Sequence, residues 1–93
     1  MAVQPPHGTR IAFAIQEILR SRRIERGLSQ WVVARHAGIT QGSLSNYETL
    51  KRVMPLSTAW AVSAAVGCGL SELIESVEPS NAVRHTHREL RSA

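Results

Sequence analysis

A chain of 93 residues, 43% apolar, can bury one small core but hardly two, and its aromatic side chains are only Phe13, Trp31, Tyr47 and Trp60. No apolar run approaches the roughly 18 residues of a membrane-spanning helix, and MAVQPPHGTR is too polar for the centre of a secretory signal peptide. Cys68 is the single cysteine, which excludes an internal disulfide and suits a reducing cytoplasm, and so small a core favours dimerisation.

The net charge of +4 is unevenly spread. Residues 1–30 carry +3 and residues 31–60 carry +2. Residues 61–78 carry −3 through Glu72, Glu75 and Glu78, and the chain from 79 returns +2. A basic pole attracts a polyanion while an acidic pole avoids it, although an ordinary mixed surface fits the same numbers.

Residues 1–8, with Pro5, Pro6 and Gly8, read as a flexible arm ahead of a domain over 9–78. Thr9 is the expected N-cap of a first helix reaching about Arg26, with Ile11, Ile15, Ile18 and Leu19 on one face and Gly27 as its stop. Ser29 caps a second helix over about Gln30 to Ala37, whose inner positions are Val33, Ala34 and Ala37, and Gly38 breaks it. Thr40 caps a third over about Gln41 to Glu48, with Leu44 and Tyr47 inward. A basic connection ends at Pro55; Ser57 then caps a fourth helix reaching about Val66, and after GCG a short fifth spans Leu70 to Ile74. No segment alternates with period two, so the fold class is all-α, with five helices. The polar, basic tail 79–93 spaces Val83, His87 and Leu90 as a marginal helix and is expected to be disordered unless it packs on something.

The second and third helices are short and joined by AGIT. Two helices that cross through so tight a turn need a small residue where their backbones meet, a role for Ala34, and a turn residue tolerant of positive φ, a role for Gly38. Outward on the third helix remain Gln41, Gly42, Ser43, Ser45 and Asn46. Lys and Glu are better helix formers than Gly, Ser and Asn, so an ordinary solvated face would favour them. Neutral donors and acceptors without carboxylates are instead what a helix needs to meet base edges in the major groove of DNA.

Arg23, GLSQ at 27–30, VARHAGIT at 33–40, LSNYE ending at Glu48, Pro55 and AVSAAVGCGLSELIE at 61–75 resemble the lambda/434-repressor and Cro class of helix-turn-helix proteins, the XRE family. The resemblance runs from Arg23 to Ile74 and implies a five-helix DNA-binding domain. It turns Gln41, Ser45 and Asn46 toward bases with Gly42 beside them. It gives Gln30 and Ser29, at the positive end of the second helix, to phosphates, together with Ser43, Lys51, Arg52 and Arg23. It also pairs Arg23 with Glu48. A dimer surface is implied near the fourth and fifth helices, at Gly69, Leu70 and Leu73, with the first helix or the tail as alternatives. Two departures stand out: Leu50 replaces the usual glycine after the third helix, and Trp31 occupies a position that tends to be polar.

The expected function is a sequence-specific transcriptional regulator of phage or bacterial repressor type, binding double-stranded DNA as a homodimer. An antitoxin or protein-interaction module, holding a partner through residues 79–93, is the alternative. His7, His85 and His87 lack the companions of a metal set, and His36 is expected at the surface. Cys68 reads as a buried small hydrophobe. No nucleophile, base and orienting group fall together, so neither an enzyme nor a cofactor is expected.

Overall fold

Four of the five helices among the described residues stop in the same six-residue turn. In the computed structural model, which describes residues 5–78, the helices are α1 (His7–Glu25), α2 (Gln30–Ala37), α3 (Gln41–Glu48), α4 (Leu56–Ala65) and α5 (Leu70–Val77), with no strand among the described residues. After α1, the Gly27 N–H donates to the Ile24 carbonyl and the Leu28 N–H to that of Arg23. After α2, Gly38 and Ile39 do the same to Arg35 and Ala34, and after α4, Gly67 and Cys68 do so to Ala64 and Ser63. This turn places one residue in the left-handed region. Gly27, Gly38 and Gly67 fill it at φ 66°, 73° and 75°. After α3 the same pair of bonds runs from Leu50 and Lys51 to Tyr47 and Asn46, and here the left-handed residue is Leu50, at φ 61°. The loop therefore keeps the glycine geometry without the glycine, at a steric cost of about 1–2 kcal/mol.

The starts of α1 to α4 divide into two kinds. Ser29 and Thr40 cap α2 and α3 as their sequence suggests, their hydroxyls accepting from the Val32 and Ser43 N–H groups at 3.1 and 3.0 Å. By contrast, α1 begins at His7 after Pro6 and α4 at Leu56 after Pro55, neither with a side-chain cap. Thr9 and Ser57 thus lie inside helices, and His7 and Gly8 belong to α1 rather than to an arm. In both cases proline's extended backbone marks the start, with ψ 151° at Pro6 and 155° at Pro55, and its carbonyl accepts the first helical bond. The fifth helix runs to Val77, past the expected end at Ile74, because Val77 also packs on the core.

The core gathers one face of each helix. Leu19, Val33, Leu44, Val62, Val66 and Leu73 are almost fully buried. Ala34 of α2 is buried as well, at 2% exposure. Amid this apolar set sits one buried amide, Gln16 of α1, at 1% exposure. Its Nε2 donates to the carbonyls of Tyr47 and Arg52 at 2.8 and 2.9 Å, and its Oε1 accepts from the Met54 N–H at 2.8 Å. Every polar atom of the side chain is thereby satisfied, as burial demands, and α1 is bolted to the end of α3 and to the loop that follows.

Candidate nucleic-acid interface

The outer surface of α3 is built from side chains too short or too neutral to cover themselves. Gln41 and Gly42 are exposed, and Ser43, Ser45 and Asn46 are half-buried. The Ser43 hydroxyl accepts from that of Thr40 at 3.0 Å, so capping and the adjacent polar surface share atoms. At Gly42 an added Cβ would meet only the Thr40 Oγ1, at 3.9 Å. Packing within the chain therefore does not demand a glycine there.

Among residues 29–52 the single acid is Glu48, and it points inward. Arg23 donates from Nε to Oε2 at 2.7 Å and from Nη2 to Oε1 at 2.9 Å, while its Nη1 donates to the Leu28 carbonyl at 2.8 Å. The pairing of Arg23 with Glu48 follows the sequence pattern; the expected phosphate contact of Arg23 does not. With its side chain 13% exposed and all three nitrogens engaged, Arg23 fixes α1 against α3 and has little surface left for a ligand. The Gln30 amide, too, is engaged within the chain. Its Nε2 donates to Glu48 Oε1 at 2.9 Å and its Oε1 accepts from Gln41 Nε2 at 3.5 Å, so its amide faces α3. At the start of α2, Ser29 is exposed and an α-helix leaves its first backbone N–H groups without intrahelical acceptors.

Lys51 and Arg52 are exposed beside the end of α3. The two bonds from Gln16 to the Arg52 carbonyl and the Met54 N–H hold the backbone of this loop, so its cations project from a fixed base. Gln16 is a functional support that apolar periodicity does not mark. Its signal was a glutamine next to Ile15 and three residues before Leu19, on a face otherwise apolar. Arg35 and His36 are exposed on α2, whereas Glu72, Glu75 and Glu78 belong to α5 and its end. The surface of the two-helix unit thus offers cations and neutral polar groups with no accessible carboxylate.

Other expectations meet mixed outcomes. Arg35 lies over the Trp31 ring, its guanidinium carbon 5.2 Å from the centroid, so Trp31 packs on its own helix while staying 55% exposed. Leu70 and Leu73, expected at a dimer surface, are core residues at 8% and 4% exposure; only Gly69 of that trio is exposed. Apolar side chains that do face outward on the last two helices are Leu56 and Trp60 of α4, at 74% and 68%, and Ile74 of α5, at 39%. Cys68 is half-buried against the core. No cluster of His, Cys, Asp or Glu among the described residues has the makings of a metal site. No single helix there is long and apolar enough to cross a membrane. The tail 79–93, with His85, His87 and the expected partner contacts, lies outside the described residues.

Comparison with known proteins agrees with this geometry. No curated protein matches the chain in sequence. Among solved structures, ClgR, the clp gene regulator from Corynebacterium glutamicum, is similar with a TM-score of 0.66 and 21% identity, over 88% of this chain and 87% of that one. At that identity the likeness speaks for the fold. A helix-turn-helix family profile matches residues 19–73, which is more than half of the chain and spans α2 and α3 entire. The chain belongs to the Cro/C1-type (XRE) helix-turn-helix family of DNA-binding transcriptional regulators.

Proposed function

We propose that the chain is a sequence-specific repressor of phage or bacterial type, acting in the cytoplasm on a near-palindromic operator that it binds as a homodimer. The observation that carries this reading is the inward-turned Glu48. With the one acid of residues 29–52 neutralised by Arg23, α3 can enter a groove lined by phosphates without repulsion. Gln41, Ser45 and Asn46 read base edges, and Gly42 lets the helix backbone come close. Ser29, Ser43, Lys51 and Arg52 contact phosphates and set the register. Two copies would engage half-sites about 34–36 Å apart.

The dimer surface that best suits this arrangement is the outer face of α4. That helix, LSTAWAVSAA, carries no charge at all, while α1 is rich in arginine and α5 in glutamate. A two-fold interface apposes a patch to itself, so a charged patch repels its own copy and a neutral apolar one does not. The exposed Leu56 and Trp60 also favour a second reading, in which the fold serves as an antitoxin or interaction module that holds another protein.

Selection from a random duplex library tests the reading. Enrichment of an inverted repeat is expected, with affinity falling steeply as salt rises. Lys51→Ala should weaken binding evenly across sequences, whereas Asn46→Ala should cost about 1–3 kcal/mol at one base pair. Recovery of no preferred sequence would reject the repressor reading in favour of the protein-interaction one.

A further inference from the structure

We propose that Trp31 and Arg35 of α2 form a stacked pair that grips a phosphate of the DNA strand over which that helix passes. Arg35 makes the contact, and Trp31 is the positioning residue that holds it ready. This rests on the reading above that α3 lies in the major groove, since α2 then crosses the sugar–phosphate backbone.

The inner side of α2 is fully occupied. Val33 and Ala34 are buried in the core, and the Gln30 amide reaches Glu48 and Gln41. What the helix turns outward is Trp31, Val32, Arg35 and His36, which line a shallow hollow of about 220 Å³. Trp31 belongs neither to the core nor to the apolar side chains packed on it. A half-exposed indole that packing does not require is therefore the feature to explain, and its neighbour along the helix face is Arg35.

Helical side chains lean toward the N-terminus. Arg35, in the last turn of α2, accordingly carries its guanidinium back over the Trp31 ring in the first turn, 5.2 Å from the centroid. At that distance the ring attracts the cation, while the fork of N–H donors at the guanidinium edge stays available for a phosphate. Arg23 shows the contrast, with all three of its nitrogens engaged within the chain. The ion pairs of the described residues join His7 to Glu78, Arg22 to Glu25 and Arg23 to Glu48, and Arg35 enters none of them. Nor does an acid compete for it nearby, because Glu48 is the one acid of residues 29–52 and is buried. A long side chain loses rotamer freedom when it binds; here the ring has ordered Arg35 before DNA arrives. Phosphates carry no base identity, so the pair strengthens binding and sets how α2 sits without changing which bases are preferred.

The measurement is fluorescence anisotropy of the selected operator, titrated with the full chain over a series of salt concentrations. Arg35→Ala, Trp31→Leu, Trp31→Phe and the double variant of Arg35→Ala with Trp31→Leu are compared, with Lys51→Ala as the reference phosphate contact. Both residues are exposed, so folding should survive, and circular dichroism checks it. Arg35→Ala should weaken binding roughly tenfold or more. It should also flatten the slope of log affinity against log salt by about 1. Trp31→Leu removes no charge, yet should weaken binding roughly two- to fivefold. Trp31→Phe keeps an aromatic face and should retain most of the affinity. In the Trp31→Leu background, Arg35→Ala should cost less than it does alone. Base preference should be the same in all of them. Unaltered affinity and slope in Arg35→Ala, beside a flattened slope in Lys51→Ala, overturn the pair and leave DNA binding by α3 standing. Strictly additive losses, or a loss confined to one base pair, overturn it as well. If Lys51→Ala is equally inert and no sequence is preferred, both readings fall.

Discussion

Arg23, near the end of α1, and Glu48, the last residue of α3, lie side on, joined by two parallel bonds of 2.7 and 2.9 Å with 13% and 5% of their side chains exposed. Such a fork aligns two planar groups and locks the angle between the helices that carry them. Loss of one partner leaves the other charge buried and alone, which is far costlier than loss of both. Glu48→Ala should therefore destabilise the fold by about 3 kcal/mol or more. Urea denaturation of Glu48→Ala, Arg23→Ala and the double variant checks it: the two losses should fall well short of additive.

The shared turn after α2 and α3 leads to substitutions of opposite sign. Gly38→Ala should cost about 1–2 kcal/mol, for conformational reasons alone, since its Cβ would meet nothing within 4 Å. Leu50→Gly relieves the same backbone penalty, offset in part by a half-buried side chain, and should raise stability by up to about 1 kcal/mol. Thermal melting of the two variants should move in opposite directions.

Gln16→Leu keeps the side chain's bulk while removing its amide. The carbonyls of Tyr47 and Arg52 and the N–H of Met54 then lose their partner, for an expected loss of about 2–3 kcal/mol. Hydrogen exchange should show the Met54 amide losing protection before the amides of α1 do.

Gly42 separates the demands of folding from those of binding. Because its Cβ position is open, Gly42→Ala should stabilise the free protein by up to about 1 kcal/mol. If the helix backbone approaches DNA there, the same methyl group weakens operator binding. Stability and affinity measured on one preparation should move oppositely.

Trp60→Lys tests the α4 surface. Since Trp60 is 68% exposed within the single chain, the fold should tolerate the change. Sedimentation should show a shift toward monomer, with a matching loss of operator affinity; an unchanged dimer would place the interface elsewhere.

What the sequence disclosed and what it withheld divide along the reach of the forces involved. Gly27 and Gly38 announce their turns because a left-handed residue is a local requirement, and Ser29 and Thr40 announce caps for the same reason. Leu50 adopts that conformation against its own preference, so only the assembled chain reveals it. Pro6 and Pro55 open helices beside Thr9 and Ser57, whose hydroxyls are the commoner cap and so the stronger local signal. Gln16 leaves no mark in the apolar periodicity, being a polar residue on the buried face. The pairing of Arg23 with Glu48 was legible through family resemblance. That the pairing also withdraws Arg23 from solvent, and turns Gln30 toward α3, depends on neighbours far away in sequence.

The repeated turns also bear on how quickly the molecule assembles. Each reversal is closed by bonds between residues at most five apart, so the chain's changes of direction are decided nearby, before distant segments meet. Little loop-closure entropy has to be overcome, and domains of this helical kind fold in microseconds to milliseconds. A regulator made this way would recover its shape almost at once after any transient opening. The slowest corner to close should be the one that asks a leucine to do a glycine's work.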